Sequence, residues 1–329
     1  MTTLPVNIDE IFQIKSPIDF NEKALKIFHF QAENCTVYKK FLQLLGKNHE
    51  EINAIEEIPF LPIELFKTQK VITNSLEAKL VFKSSGTGNL GKSQHHVADP
   101  SLYERSFLSG FKQFYGDPKD FLIIGLLPSY QEQGDSSLVY MVEKLIERSQ
   151  FSSSNFYLNN DAGLKMLLEN SNEKGIPTLL IGVTYALLDF SEKYPMNLDK
   201  IIIMETGGMK GRKTEMIRSE VHAKLSKSFG IKEVHSEYGM TELLSQAYSK
   251  GNGIFHCPSW LQIGFRENTS PMYTNTSLNK GIITIIDLAN LYSCSFIATQ
   301  DLGKRKKNGV EILGRTDYSD IRGCSQLTL

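Results

Sequence analysis

The chain has 329 residues, 41% hydrophobic and 22% charged, a balance typical of globular domains and far from that of disordered or fibrous chains. A formal net charge of −1 gives no global field to draw nucleic acid or an anionic membrane, and specificity must come from a local site. The first residues, MTTLPVNIDEIFQIK, lack the basic start and apolar run of an export signal. No stretch approaches the ~20 uncharged apolar residues of a membrane span, so a cytoplasmic protein with no span and no nucleic-acid partner is expected.

From about Asn21 to Leu45, the residues Ile27, Phe30, Val37, Phe41 and Leu45 recur at helical spacing, with Gly46 placed to end the helix. The following IPFLPIELFK carries Pro59 and Pro62, each pushing its predecessor towards extended backbone, and reads as a stiff connector. Apolar runs then alternate with helical stretches. AKLVF comes first, then SLYERSFLSGFKQF behind Asp99-Pro100, FLIIGLL, and SSLVYMVEKLIER. TLLIGV precedes a helix ending near Tyr194, IIIME precedes a helix from about Lys213 to Phe229, and IKEVH leads into EYGMTELLSQ. The alternation predicts βαβ units and a mostly parallel, helix-covered sheet. Beyond Gly253 the runs LQIGF, GIITIIDL, SCSFIAT and VEILG lack helical spacing between them and predict a β-rich subdomain. The expected organisation is a helical N-terminal cover and connector over 1–70, an α/β core over 71–252, a β-rich subdomain over 253–315 and a tail over 316–329.

The strongest chemical signal is the loop Lys83-Ser84-Ser85-Gly86-Thr87-Gly88-Asn89-Leu90-Gly91-Lys92-Ser93, directly after a predicted strand. Glycines let backbone amides approach phosphate oxygens, hydroxyls add hydrogen bonds, and Lys92 supplies a mobile positive charge. Gly86 to Ser93 also fits the letters of a Walker A loop, which leaves a kinase-type reading open at this point. A second signal is Glu237-Tyr238-Gly239-Met240-Thr241-Glu242. The third is Thr299-Gln300-Asp301-Leu302-Gly303, followed by Gly314-Arg315-Thr316-Asp317.

In this order the three motifs resemble the adenylate-forming (ANL) superfamily of acyl- and aryl-CoA ligases, peptide-synthetase adenylation domains and luciferases. The stretches IPFLPIELFK, LLPSY, SSLVYM, METGGMKGR, YGMTELLSQAY and IRGCSQL are similar, more narrowly, to the acyl-protein synthetase of the bacterial fatty-acid reductase complex, the LuxE family. The resemblance implies a layered ANL-type fold, with ATP and Mg2+ used to activate a fatty or other carboxylic acid as acyl-AMP. It implies that Ser84, Ser85, Gly86, Thr87 and Gly88 hold the phosphates and that Tyr238 and the Gly207-Gly208 turn flank adenine within a site that includes Gly239, Met240 and Thr241. Glu242 would ligate Mg2+, Asp301 would accept from the ribose hydroxyls, and Arg315 would contact ribose or phosphate. A hard cation between phosphates suits a carboxylate, and vicinal hydroxyls suit another. For Arg315, an ion pair with Asp317 or Asp320 is the structural alternative.

Superfamily members continue past this point into a small C-terminal domain that brings a lysine to the adenylation step, whereas this sequence stops at Leu329, so that domain is expected to be absent. Lys92, Lys210, Arg212 and Arg315 are the candidates to replace its charge. In its place stands a tail with Cys324, beside Gly323, and the LuxE resemblance implies that this thiol accepts the acyl group; in an extended tail Arg322 points to the same side and is expected to raise its thiolate fraction. Cys35, Cys257 and Cys294 read as small hydrophobes, and His95, His96 and His235 as structural. The acyl-cysteine would pass to a reductase subunit or a carrier protein. Two alternatives stay open: an acyl- or aryl-CoA ligase of the phenylacetate type, with coenzyme A as acceptor, and an inactive nucleotide-binding partner subunit.

Overall fold

The protein is described from a computed structural model covering residues 4–74, 76–84, 91–128, 134–207, 216–267 and 277–315. Where apolar spacing predicts one N-terminal helix, the chain makes two. After the short α1 (Ile8–Ile11), helix α2 (Pro17–Asn34) begins where Ser16 Oγ accepts from the Asp19 amide and Pro17 occupies a first turn whose amide needs no partner. Cys35 leaves the helical region at φ −103° and ψ 104°, and α3 (Thr36–Leu44) restarts. Asn74 supplies the bonds lost at this break. Its amide donates to the Asn34 carbonyl, and its Oδ1 accepts from the Thr36 amide and hydroxyl. Gly46, at φ +63°, follows the end of α3 as expected.

The connector holds β1 (Leu61–Pro62) and α4 (Leu65–Thr68). Strand β2 (Leu80–Lys83) departs from expectation. It forms a separate two-stranded antiparallel sheet with β3 (Gln94–Val97), Leu80 opposite Val97 and Lys83 opposite Gln94, instead of opening a βαβ unit. The hydroxyl-rich loop therefore joins two strands of a hairpin. A Walker A loop must run from a strand into a helix N-terminus, so the kinase-type alternative falls.

The main sheet follows. Helix α5 (Pro100–Phe114) is capped by Asp99, whose Oδ1 accepts from the Ser101 amide. Then come β4 (Leu122–Leu126), α6 (Ser137–Arg148), β5 (Asn155–Phe156), α7 (Asp161–Lys174), β6 (Thr178–Gly182), α8 (Thr184–Lys193), β7 (Ile201–Glu205), α9 (Arg218–Phe229), β8 (His235–Tyr238) and β9 (Ala247–Ser249). Strands β4 and β6 are buried at every position, which is why LIIGL and TLLIG are unbroken apolar runs. Helix α9 starts at Arg218, later than the Lys213 that spacing suggests. The strand order is β5-β4-β6-β7-β8-β9, parallel except for β9. The chain steps from β4 out to β5 and returns past β4 to β6, so the order reverses between β4 and β6. Right-handed crossovers then set α6 on one face and α7 to α9 on the other, with α5 packing on α6 and α8 on α9.

The second sheet takes up the C-terminal third, as the turn-rich sequence predicts. It contains β10 (Ile254–Phe255), β11 (Leu261–Arg266), β12 (Lys280–Asp287), β13 (Phe296–Lys306) and β14 (Gly309–Arg315), in the antiparallel order β10-β14-β13-β12-β11. Strand β1 joins it in parallel, Leu61 opposite Ile297, so residues from the connector complete a sheet built by the other end of the chain. The N-terminal helices dock on the same sheet. Gln31 Nε2 donates to the carbonyls of Asn290 (2.9 Å) and Leu291 (3.0 Å), and its Oε1 accepts from the Ser295 amide. The rings of Phe28, Tyr38 and Phe60 surround Phe296. Trp260 Nε1 reaches both Ser106 Oγ (3.1 Å) and Ser245 Oγ (3.0 Å), tying the second sheet to the first. The result is a layered α/β protein with one mostly parallel sheet and one antiparallel sheet over a continuous core. Among the described residues no helix is long and apolar enough to cross a membrane.

Candidate active site

A strand-order reversal in an open α/β sheet leaves a crevice beyond the carboxyl ends of the strands. Here a cavity of about 230 Å³ lies in that place. Leu127 and Pro128 follow β4, Val183 follows β6, Thr206 and Gly207 follow β7, and Gly239, Met240 and Thr241 follow β8, and all of them line it. Ser84 and Lys92, from the two arms of the β2–β3 hairpin, also reach the cavity.

The hairpin is held over the cavity by its buried face. Phe82 packs edge-on against Tyr103 (5.3 Å) and Tyr140 (5.6 Å), and the Lys83 amide donates to the Asp135 carbonyl at 2.7 Å. The Ser84 amide donates to the Ser93 carbonyl, and the Ser93 amide returns a bond to Ser84 Oγ, both at 3.0 Å, closing the neck of the loop. Opposite Phe82, His95 is buried, and burial lowers its pKa to about 4, leaving the ring neutral. Its Nδ1 lies 2.9 Å from the Thr241 carbonyl, which only accepts, so Nδ1 carries the proton. The first motif is thereby fastened to the second.

Gly207 turns the chain away from β7 at φ +75°, a region where a side chain would strain. Its amide donates to Glu205 Oε2 at 2.7 Å, and Thr184 Oγ1 donates to the same oxygen at 3.1 Å. Arg218 Nε lies 3.2 Å from Glu205 Oε1, and His222 Nε2 lies 3.5 Å from it. Burial alone would raise this carboxyl, but the His222 bond and the Arg218 charge outweigh it and hold the pKa near 2. Glu205 is thus an anion that fixes the turn on the cavity wall.

Alternation along β8 sends Glu237 and Tyr238 to opposite faces. Tyr238 Oη donates to Asp301 Oδ2 at 2.7 Å, and Arg315, opposite Asp301 across β13 and β14, places its Nε 3.5 Å from Asp301 Oδ1. Glu237 points into the cavity, where burial, and secondarily the Glu205 charge, pushes its carboxyl up to about 8. Glu242 is buried beside this group. Burial raises its carboxyl, a Ser93 hydrogen bond opposes the rise, and the charges of Arg315 and Asp301 both act on it. A Mg2+ ion held mainly by phosphates needs one or two protein carboxylates, and a buried carboxyl disfavoured as a free anion suits that use. Glu242 fits it. No group of three or more His, Cys, Asp or Glu able to hold a metal exists among the described residues.

The segment after the second motif is pinned from the second sheet. Asp287 accepts from the amides of Leu244 (2.8 Å) and Ser245 (3.0 Å) and from Ser245 Oγ (2.6 Å), and burial still raises its carboxyl to about 6. Asn290 Nδ2 donates to the Glu242 carbonyl at 2.8 Å. Cys35 and Cys294 are buried, and burial pushes both thiols up, which leaves neither a nucleophile at neutral pH.

Of the residues singled out in the sequence, Ser84, Lys92, Gly207, Gly239, Met240 and Thr241 meet at one cavity, while Tyr238, Asp301, Arg315 and Glu242 gather beside it. Ser85, Gly86, Thr87, Gly88, Gly208, Lys210, Arg212, Asp317, Asp320, Arg322 and Cys324 lie outside the described residues. Glu205, Arg218, Glu237, Gln246, Asp287 and Asn290 were not anticipated. Strand alternation alone could have flagged Glu237, one residue before Tyr238.

A protein-family model described as "Acyl-protein synthetase, LuxE" matches residues 7–328. The fold is shared with 2-hydroxyisobutyryl-CoA ligase in its postadenylation state with R3-HIB-AMP, at a TM-score of 0.65 and 11% identity over 91% of this chain and 68% of that one. An open conformation of that ligase, with 2-HIB-AMP and CoA, gives 0.65 and 12% identity over 90% of this chain and 74% of that one. Coronafacic acid ligase from Pectobacterium brasiliense matches 65% of this chain at 16% identity and a TM-score of 0.45, and the chain spans 43% of its length. No curated protein sequence matches the chain.

Proposed function

The chain belongs to the LuxE family of acyl-protein synthetases, and from that premise we propose that it activates a carboxylic acid, with fatty acids the first candidates, as an acyl-adenylate and transfers the acyl group to Cys324. The observation that carries the reading is the convergence of three separate segments, through Ser84 and Lys92, Gly207, and Gly239 to Thr241, on one cavity at the carboxyl ends of the strands. The 2-hydroxyisobutyryl-CoA ligase of the same fold holds an acyl-adenylate, which supports adenylation as the first step.

In this reading the loop from Ser84 to Gly88 binds the ATP phosphates and Asp301, oriented by Tyr238, accepts from the ribose. Glu242 would hold Mg2+, which would neutralise phosphate charge. Lys92 faces the transferring group with a positive charge. A substrate carboxylate oxygen attacks the α-phosphorus, and the bond to pyrophosphate breaks. The Cys324 thiolate, favoured by Arg322, then attacks the acyl carbonyl, a C–S bond forms, and AMP leaves with the C–O bond electrons. The acyl-cysteine is delivered to a reductase subunit or carrier protein in the cytoplasm. The division into a cover, an adenylate-forming core, a β-rich subdomain and an acceptor tail belongs to the same proposal.

The test is intact-protein mass after incubation with ATP, Mg2+ and mixed fatty acids. A thiol-labile gain in wild type, absent from Cys324→Ser, supports the reading, and an equal gain in both removes it. A second reading, coenzyme A as acceptor, draws on the related ligase that holds CoA. Acyl-CoA formation by Cys324→Ser would establish it.

A further inference from the structure

One stretch of the cavity wall is polar in a way that adenylate chemistry does not require. Glu237 and Gln246 both line it and are 8% and 5% exposed. Gln246 Oε1 is buried without a hydrogen-bond partner, and Glu237 has none among the described residues. An unpaired buried polar atom costs roughly 1 to 3 kcal/mol, so Gln246 Oε1, beside a Glu237 carboxyl that opens on the cavity, calls for a ligand atom that pairs with both.

Gly239 marks where that atom would sit. A Cβ added there would lie 2.5 Å from Glu237 Oε1 and 3.4 Å from Gln246 Cγ. Glycine therefore keeps open a space flanked by both side chains, on the stretch of wall that continues into Met240 and Thr241. An alkyl chain laid there would leave both polar groups unpaired.

We infer that the substrate acid carries a hydroxyl at position 2 or 3, held over Gly239 between Glu237 and Gln246. The position follows from the closeness of this space to the Gly239–Thr241 wall, where the adenylate is proposed to form, and the inference rests on that reading. The hydroxyl is the matching group because one O–H can both receive and give. Burial keeps Glu237 protonated near neutrality, so its O–H donates to the hydroxyl oxygen while the hydroxyl donates to Gln246 Oε1. Neither partner needs to be an ion. A substrate ammonium would instead have to draw the proton off Glu237 and pair with the anion, and the amino acids in the test set separate that case.

The test is ATP–pyrophosphate exchange by the full chain on matched acids. The set comprises butanoate and decanoate, their 2-hydroxy and 3-hydroxy derivatives, and their 3-amino derivatives. The expected result is a kcat/KM for a hydroxy acid at least about tenfold above its plain and amino counterparts, since a site built to bond a hydroxyl rejects analogues that lack it. In Glu237→Leu and, independently, Gln246→Met the ratio between hydroxy and plain acids should fall towards one. Plain or amino acids preferred by wild type overturn the inference while leaving adenylation intact. Exchange with none of the acids removes adenylation itself and the inference with it.

Discussion

Arg218 spans the seam between the two sheets. Its Nε lies 3.2 Å from Glu205 Oε1 on β7, while its Nη1 donates at 2.7 Å to the Ile312 carbonyl on β14. The guanidinium also stacks over Phe255 at 4.9 Å. One side chain thus joins the turn that carries Gly207 to the strand that carries Arg315.

Replacing it by methionine keeps the packing but strips a buried carboxylate of its cation. Arg218→Met should cost about 3 kcal/mol, read as a lowered Tm. Glu205 is an acid with a depressed pKa, so its contribution to stability is present above its ordinary value of 4.5 and is lost as pH falls towards 2. With Arg218 gone that depression shrinks, and melts between pH 5 and 2.5 should show a shallower acid slope than wild type.

Glu237 behaves in the opposite sense. Its carboxyl is raised from 4.5 to about 8, so stability is fully present below pH 4.5 and is lost as pH rises through 8. By pH 7 the burial costs about 3 kcal/mol at roughly 1.4 kcal/mol per pH unit. Glu237→Gln should match the wild-type Tm at pH 4.5 and exceed it at pH 8.5. Equal melting temperatures at both values would mean that the carboxyl ionises freely in the folded protein.

Tyr238→Phe deletes the hydroxyl that orients Asp301. A stability loss of about 1 kcal/mol is expected from the bond itself. If Asp301 reads the ribose, the KM for ATP should rise several-fold with a smaller change in kcat, measured by pyrophosphate exchange over a range of ATP concentrations.

Lys92 is the described basic candidate that lines the cavity, whereas Arg315 faces Asp301 beside it. Charge preorganised against a transferring phosphoryl group is worth about 3 kcal/mol, so Lys92→Ala should slow adenylation by roughly 100-fold. Acylation of Cys324 from a supplied acyl-adenylate should survive, and its parallel loss would assign Lys92 to a different step.

Gln31→Leu would strip the Leu291 carbonyl and the Ser295 amide of their side-chain partner in a fully buried place, and would leave the Asn290 carbonyl with the Ser293 amide alone. A loss of about 3 kcal/mol is expected, visible as a lower urea midpoint. Exchange activity well below the new midpoint should stay near wild type, since Gln31 is not a lining residue of the cavity.

The centre of the main sheet was readable because β4, β6 and β7 are short, mostly apolar runs separated by helices. Asp99 and Ser136 mark the starts of α5 and α6 as plainly as any pattern does. The hairpin was hidden because QHHV carries no apolar alternation, although His95 turns out to be as buried as Phe82. Site residues in motifs were legible because loop chemistry is written locally. Those that act across the fold were not, since nothing near Asp287 in sequence signals the amides of Leu244 and Ser245 more than forty residues earlier. Glu205 and Glu237 read as ordinary strand-end carboxylates until the sheet shows which side each faces.

The pairing of Leu61 with Ile297 has a consequence for the order in which the protein can assemble. During synthesis 236 residues (297 − 61) must be added after Leu61 before its partner exists, which at ~5 to 20 residues per second takes roughly 10 to 50 s. Throughout that interval the aromatic side chains of Phe28, Tyr38 and Phe60 have no Phe296 to close around. The amino-terminal segment therefore keeps these aromatic faces uncovered until β13 has been made.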